Sequence, residues 1–295
     1  MSSEVSPAAL QATGSVARRQ KLSRISRWVL LFATLLGLVV LVVLAIENVR
    51  EAIPRLNLDF FVNYPSRKAA EAGLRSSIFG WIWVVIYTIV LSVPIAVGTA
   101  VWLEEFAPRS RFITLLRLNI SNLAGVPSII YGILGLTLFV RIFGLGPSML
   151  AGAFTLVLMI LPMIVIASVE AIRQVPPSIR DGALALGATR WQAVWHHILP
   201  ASIPGVMTGT ILAIARAAGE TAALIMIGAF TFIAFDSINP MDSFTTVPIQ
   251  IYNWTIRPVN QGFQHNASAG IIVLVAAVIV FNIIALFVRE RFRRS

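Results

Sequence analysis

A guanidinium and a carboxylate four residues apart, Arg216 and Glu220, interrupt one of the most apolar stretches of this 295-residue chain. On a continuous helix that spacing puts both on one face. An arginine in the middle of a bilayer costs at least about 2.5–3.5 kcal/mol, so it faces a partner or a water-filled path rather than lipid. Two chemistries fit the pair: an ion pair that joins helices, or a site for an anion. Ala217, Ala218 and Gly219 lie between the two charges. Side chains this small leave the backbone open to close approach, which an anion site needs.

Other chemistries lack their residues. There is no cysteine, which excludes disulfides and thiolate metal sites. Three histidines, His196, His197 and His265, make a poor zinc set. A phosphate-cradling loop needs Gly-Lys-Ser or Gly-Lys-Thr. The two lysines, Lys21 and Lys68, follow Gln20 and Arg67, so this sequence offers no such loop. No nucleophile–base set stands out either. The sequence reads as a non-enzyme that carries no cofactor of its own.

The elements that must position Arg216 and Glu220 are membrane helices. Charged residues make up 12% of the chain against about 25% in a soluble domain. Apolar residues make up 57%, and mean hydropathy is +0.84. Six apolar stretches follow a polar arm over 1–27: about 28–46, 78–103, 112–140, 147–169, 203–235 and 269–288. Each can cross roughly 30 Å of hydrocarbon, and the third and fifth are long enough to bend or leave it in part. The expected fold is all-α and polytopic, with an anchor helix and first external loop over 28–75, a five-helix core over 76–289 and a basic tail over 290–295. The first stretch is too long for a cleaved leader and reads as a retained anchor. Pro94, Pro127, Pro162 and Pro204 lie in or near the stretches, as ordinary kinks or as bends along a path.

The net charge of +10 belongs to topology rather than nucleic acid, because the arginines edge the apolar runs. With both termini inside, fifteen of the twenty-three Lys and Arg fall on inner segments and seven on outer ones. This predicts a plasma-membrane protein with cytoplasmic termini.

One inner segment, 170–203, carries two helix signals back to back. Ser178 and Asp181 have capping-box spacing, and Pro176 and Pro177 stop any helix entering from before. Gly187 supplies a left-handed turn position. Thr189 and Gln192 form a second capping box, and Trp191, Val194, Trp195 and Ile198 share one apolar face before Pro200 ends the helix. A hairpin of this kind can lie on the bilayer surface. Its rigid double-capped turn better suits a knob for a socket on another protein.

That segment resembles the coupling loop of ABC-importer permeases, whose pattern is E-A-A, three residues, G, nine residues, I-x-L-P. Asp181-Gly182-Ala183 stands in the E-A-A place, Gly187 is the glycine, and Leu199-Pro200 closes the loop. The resemblance implies that these residues, with Arg180, Thr189, Arg190 and Trp191, dock on an ATPase. A narrower resemblance runs from about Gly125 to Ile227. Residues 125–132, GVPSIIYG, are similar to the G-V-P-S-I-V-Y-G of the phosphate-specific permeases of the PstA type. Arg216-Ala217-Ala218-Gly219-Glu220-Thr221 is similar to their R-A-x-G-E-T. The family implies a type I importer fold, a homologous PstC-type permease partner, two ATP-binding subunits and an external phosphate-binding protein delivering to loops near Arg55, Arg67, Arg257 and His265. It also implies a phosphate path at Arg216, Glu220, Thr221, Gly219, Ser128 and Asn122. Two departures stand out: Ala223 where the family has proline, and Ile166 where many members have arginine. By the resemblance, a second cation then comes from the partner permease or is absent.

Overall fold

A computed structural model describes residues 14–229 and 232–293; residues 1–13 of the arm read over 1–27, residues 230–231 and residues 294–295 of the tail lie outside them. The chain forms two compact units, Met1–Arg50 and Glu51–Ser295. Among the described residues there is no strand, and one antiparallel bridge, Ser148 to Ser243.

The first unit is built on helix α1, Gly14–Ala52. It starts earlier than the apolar stretch, because the segment before Trp28 lacks proline from Ala8 onward and is rich in helix-forming Ala, Arg, Gln and Lys. Phe32, Leu36 and Leu41 are more than half exposed. A helix with such a surface needs lipid or another helix around it.

The second unit holds α2 (Leu58–Val62), α3 (Arg75–Val101), α4 (Arg111–Ala124), α5 (Ser128–Gly135), α6 (Met149–Arg173), α7 (Pro177–Ala185), α8 (Arg190–Ala193), α9 (Leu199–Ala218), α10 (Ala222–Met226), α11 (Val247–Thr255) and α12 (Gln264–Arg293). Single π-helical turns extend α3 over Trp102–Phe106 and α5 over Leu136–Ile142, and join α8 to α9 over Val194–Ile198. Among the described residues, five helices are long and apolar enough to cross a membrane, six if α4 and α5 form one bent span.

Helix α6 is the centre. Met149, Ile160 and Ile164 are fully buried on it, and α3 and α9 pack on its sides. The α6–α9 contact is close because Gly205 and Gly209 face Ala171 and Ala167. A methyl group at either glycine would meet the facing Cβ at 2.7 Å or 2.1 Å. Small residues four apart let backbones approach where lipid gives no hydrophobic drive for association.

A second cluster forms at the start of α3. Phe60, Leu74, Trp254 and Phe263 are buried together, with the Phe60 and Trp254 rings 5.8 Å apart. Asn266 donates to the Ala69 and Ala72 carbonyls at 3.0 and 3.2 Å, and Arg55 donates to Ala70 and Ala72 at 2.7 Å each. Residues 51–75 are therefore an ordered cap on α11 and α12. Arg55 and His265, which holds the Glu51 carbonyl at 3.0 Å, are both part of that cap. Arg257 lies over the Phe263 ring.

Candidate functional site

Two helices break near each other, and both phosphate-permease-like motifs lie at the breaks. The first break is the turn Gly125–Pro127, where α4 and α5 meet at 103°. The residue before a proline is biased out of the helical region, and proline then opens α5 from the N-cap position. The Tyr131 hydroxyl donates to the Leu123 carbonyl at 2.7 Å and braces the elbow. Asn122 is exposed in the last turn of α4, and Ser128 is half-buried as the first residue of α5.

The second break follows Ala218. Helix α9 ends there, with Gly219 as its C-cap, and α10 begins at Ala222. Arg216 and Glu220 therefore do not share a helix face. Glycine weakens the helix, and the Glu220 carboxylate has a better use outside it: its Oε1 accepts the Ala223 N–H at 3.2 Å, a donor that α10 leaves unpaired. The expected fifth span over 203–235 is likewise shorter. It runs as Arg190–Ala218, and beyond Met226 the described residues are irregular up to Val247. The Ala218 carbonyl, an orphan of the α9 end, accepts from Trp81 Nε1 on α3 at 2.7 Å.

The breaks touch. Helix α5 packs on α10 so closely that a methyl at Gly132 would lie 2.8 Å from Ala223 Cα. Arg216 is exposed, and its Nη1 rests 3.2 Å from Met163 Sδ on α6. No carboxylate among the described residues pairs with it. Gly219 is exposed, and Glu220 and Thr221 are half-buried. The arrangement is thus an uncompensated guanidinium beside a carboxylate that stands apart from it, flanked by two interrupted helices. Discontinuous helices of this sort leave polar backbone at membrane depth, which lipid does not tolerate but a substrate path does.

The second candidate region is the 177–198 hairpin. Pro176 is the N-cap of α7 and Pro177 its first residue, so the Ser178–Asp181 box does not form. Proline's missing N–H falls among the donors that a helix start leaves unpaired anyway. Gly187 has φ +87°, and Ala188 N–H reaches back to Ala183 O at 3.1 Å, closing α7. The Thr189–Gln192 capping box is complete. Val194 and Ile198 are buried; Trp191 and Trp195 are more than half exposed and stack at 5.7 Å. Pro200 does not end this helix, which continues from Arg190 to Ala218. The π turn before Pro200 shifts the hydrogen-bond register, so the missing N–H breaks no regular ladder. Asp181, Gly182 and Arg190 are exposed, and Ala183 is buried. Leu199 is half-buried.

The hairpin is anchored by charges that spacing did not flag. Glu104 and Glu105 lie on the π turn ending α3. Glu105 pairs with Arg180 of α7. Glu104 pairs with Arg117 of α4, and with Arg173 at the end of α6 at 3.1 Å. Arg117 also donates to the Leu103 carbonyl. Two adjacent acids closing an apolar stretch, in a chain with only 13 acidic residues, were the available signal. A polar cavity of about 680 Å³ opens beside them, lined by Arg109, Arg111, Arg117, Arg173 and Arg180. Ile166 lines a separate cavity of about 90 Å³ with Arg117 and Arg173, whose guanidiniums turn to Glu104.

Residues 69–295 match the family described as binding-protein-dependent transport system inner membrane component. The chain belongs to this family. It is a permease subunit and not itself an enzyme, a multi-pass inner-membrane protein that works with an ATPase and a substrate-binding protein. The permease is 32% identical over 244 residues to "Probable ABC transporter permease protein YqgI" of Bacillus subtilis, covering 79% of this chain and 83% of that one. It is 33% identical over 208 residues to "Phosphate transport system permease protein PstA 1" of Mycobacterium tuberculosis, covering 70% and 67%. Against "Phosphate transport system permease protein PstA" of Yersinia pestis it is 30% identical over 271 residues, covering 91% and 90%. Among solved structures, a bacterial ABC transporter that imports the acidic polysaccharide alginate shares the fold with TM-score 0.65 and 15% identity, over 92% of this permease and 99% of that chain. The MetNI methionine ABC transporter gives 0.58 and 16%, over 74% and 95%. The all-α architecture of a MetI-type importer permease, expected from the sequence, is the observed one.

Proposed function

We propose that this permease moves inorganic phosphate inward, with Arg216 as the cation that receives it. The observation that carries this reading is a guanidinium without a carboxylate partner, beside two broken helices, in a chain about 30% identical to permeases named for phosphate transport. Arginine's planar fork matches two phosphate oxygens. Glu220 already spends one oxygen on the Ala223 N–H. Its other oxygen is free to accept a hydrogen bond from a phosphate hydroxyl. Sulfate at neutral pH has no such hydroxyl and meets a bare carboxylate instead. Gly219, Thr221, Ser128 and Asn122 complete the path in this reading.

The working unit is a pair of this chain with a homologous PstC-type permease, above two subunits that bind ATP–Mg and below an external phosphate-binding protein, with both termini cytoplasmic. The knob from Arg180 to Pro200 meets the ATPase through Asp181, Gly182, Ala183, Gly187, Thr189, Arg190, Trp191 and Leu199. Uptake of labelled phosphate by cells carrying Arg216→Gln tests the assignment. Loss of uptake with normal membrane levels is expected; normal uptake overturns it. Because one relative's name gives no substrate, transport of another oxyanion or small solute is the second reading, and competition by unlabelled anions and solutes separates the two.

A further inference from the structure

We propose that Glu104 and Glu105 act as a carboxylate clasp that positions the ATPase-facing knob on the transmembrane core. The proposal rests on reading 177–198 as that knob. The two acids are side by side on one π turn, with side chains 13% and 6% exposed. Carboxylates so covered need partners. Glu105 takes Arg180, inside α7. Glu104 takes Arg117 of α4 and Arg173, the last residue of α6. One turn of α3 thus holds the knob with one carboxylate and, with the other, the middle of α4 and the end of α6.

Few other polar contacts do this job. Among the described residues, the other backbone bonds of α7 and its following turn run within residues 176–188. The knob's apolar attachments are Val194 and Ile198, which continue directly into α9, and the Trp191 ring, 6.1 Å from the Phe106 ring on the same π turn of α3. Without Glu105, α7 would still hang from α9 but would lose its charged tie to α3. A push on the knob would then reach α9 and, through residues 174–176, α6, while α3 would feel it through the Phe106–Trp191 ring contact without the charged tie. The π turn fits the role, since these turns recur at functional positions inside helices and re-aim the side chains they carry.

The chain has no cysteine, so spin labels can be placed at exposed Leu186 and Phe112 without background. The unmutated transporter should give a narrow distance distribution between them. Glu105→Gln should broaden it, and the charge-exchanged pair Glu105→Arg with Arg180→Glu should narrow it again. In proteoliposomes with inorganic phosphate inside the assay, phosphate moved per ATP should fall about three- to thirtyfold in Glu105→Gln and recover in the exchanged pair. A merely structural residue would lower protein yield and leave that ratio alone. If Glu105→Gln fails to reach the membrane, Arg180→Gln, whose side chain is 40% exposed, carries the same expectation. Unchanged distance and ratio in either variant overturns the clasp. Failure of the unmutated chain to retain its ATPase strikes the docking reading instead, and the distance measurement still decides the clasp.

Discussion

Glu220 Oε1 accepts the Ala223 backbone N–H at 3.2 Å, so the acid of the motif caps α10 rather than pairing with Arg216. Cap and selectivity can be separated by substitution. Glu220→Gln keeps an oxygen for Ala223 and removes the charge. It should leave thermal stability in detergent near that of the parent and let sulfate compete for phosphate uptake. Glu220→Ala removes the cap as well and should cost about 0.5–2 kcal/mol of stability. Equal exclusion of sulfate by parent and Gln variant would remove Glu220 from the selectivity mechanism.

Gly132 sets how closely the two breaks approach. A methyl there would fall 2.7 Å from Met226 Cβ and 2.8 Å from Ala223 Cα and O. Two of these atoms are backbone and cannot swing aside. Gly132→Ala should therefore push α5 off α10, at a cost of about 1–3 kcal/mol, and lower uptake. Thermal unfolding and transport measured on the same preparation check both parts.

Two glycines in the knob should respond in opposite ways. Gly182 lies inside α7, and an added methyl meets nothing within 4 Å. Gly182→Ala should stabilise the hairpin by about 1 kcal/mol and keep ATPase association. Gly187 has φ +87°, where an L side chain is strained by about 1–2 kcal/mol. Gly187→Ala should loosen the turn and reduce the ATPase recovered with the permease. Hydrogen exchange over 183–192 reads the turn directly.

The difference between those glycines marks what sequence could reveal. Features that depend on near neighbours were legible: the left-handed turn at Gly187, the Thr189–Gln192 cap, the apolar spans and the motif at 125–132. Features that depend on competition between partners were not. Glu220 looked like a helical neighbour of Arg216 because spacing cannot show that a free N–H at Ala223 would claim it. Pro200 looked like a stop because the π turn that absorbs it has no residue signature. Ser178 has the spacing of a cap, but Pro177 opens the helix one residue earlier, and spacing does not show which of the two takes the first position. The Glu105–Arg180 pair joins residues 75 apart, and no periodicity reaches that far.

Asp242 gives the structure a pH-sensitive corner outside the spans. Its Oδ2 accepts the N–H groups of Asn239 and Ile238 at 2.9 and 3.1 Å, and these bonds hold its carboxyl below the usual carboxylate range. The same turn sends the Pro240 and Asp242 carbonyls to the N–H groups of Leu150 and Met149, the first donors of α6. A carboxyl more acidic folded than unfolded adds stability that is complete above its unfolded value, about 3.9. That stability is lost as pH falls through the lower folded value. Protection of the Met149 and Leu150 amides against hydrogen exchange, relative to an unfolded chain at the same pH, should therefore hold down to about pH 4 and fall below it. Asp242→Ala should show the lowered protection already at neutral pH. If the acid-induced change survives in Asp242→Ala, another group is responsible for it.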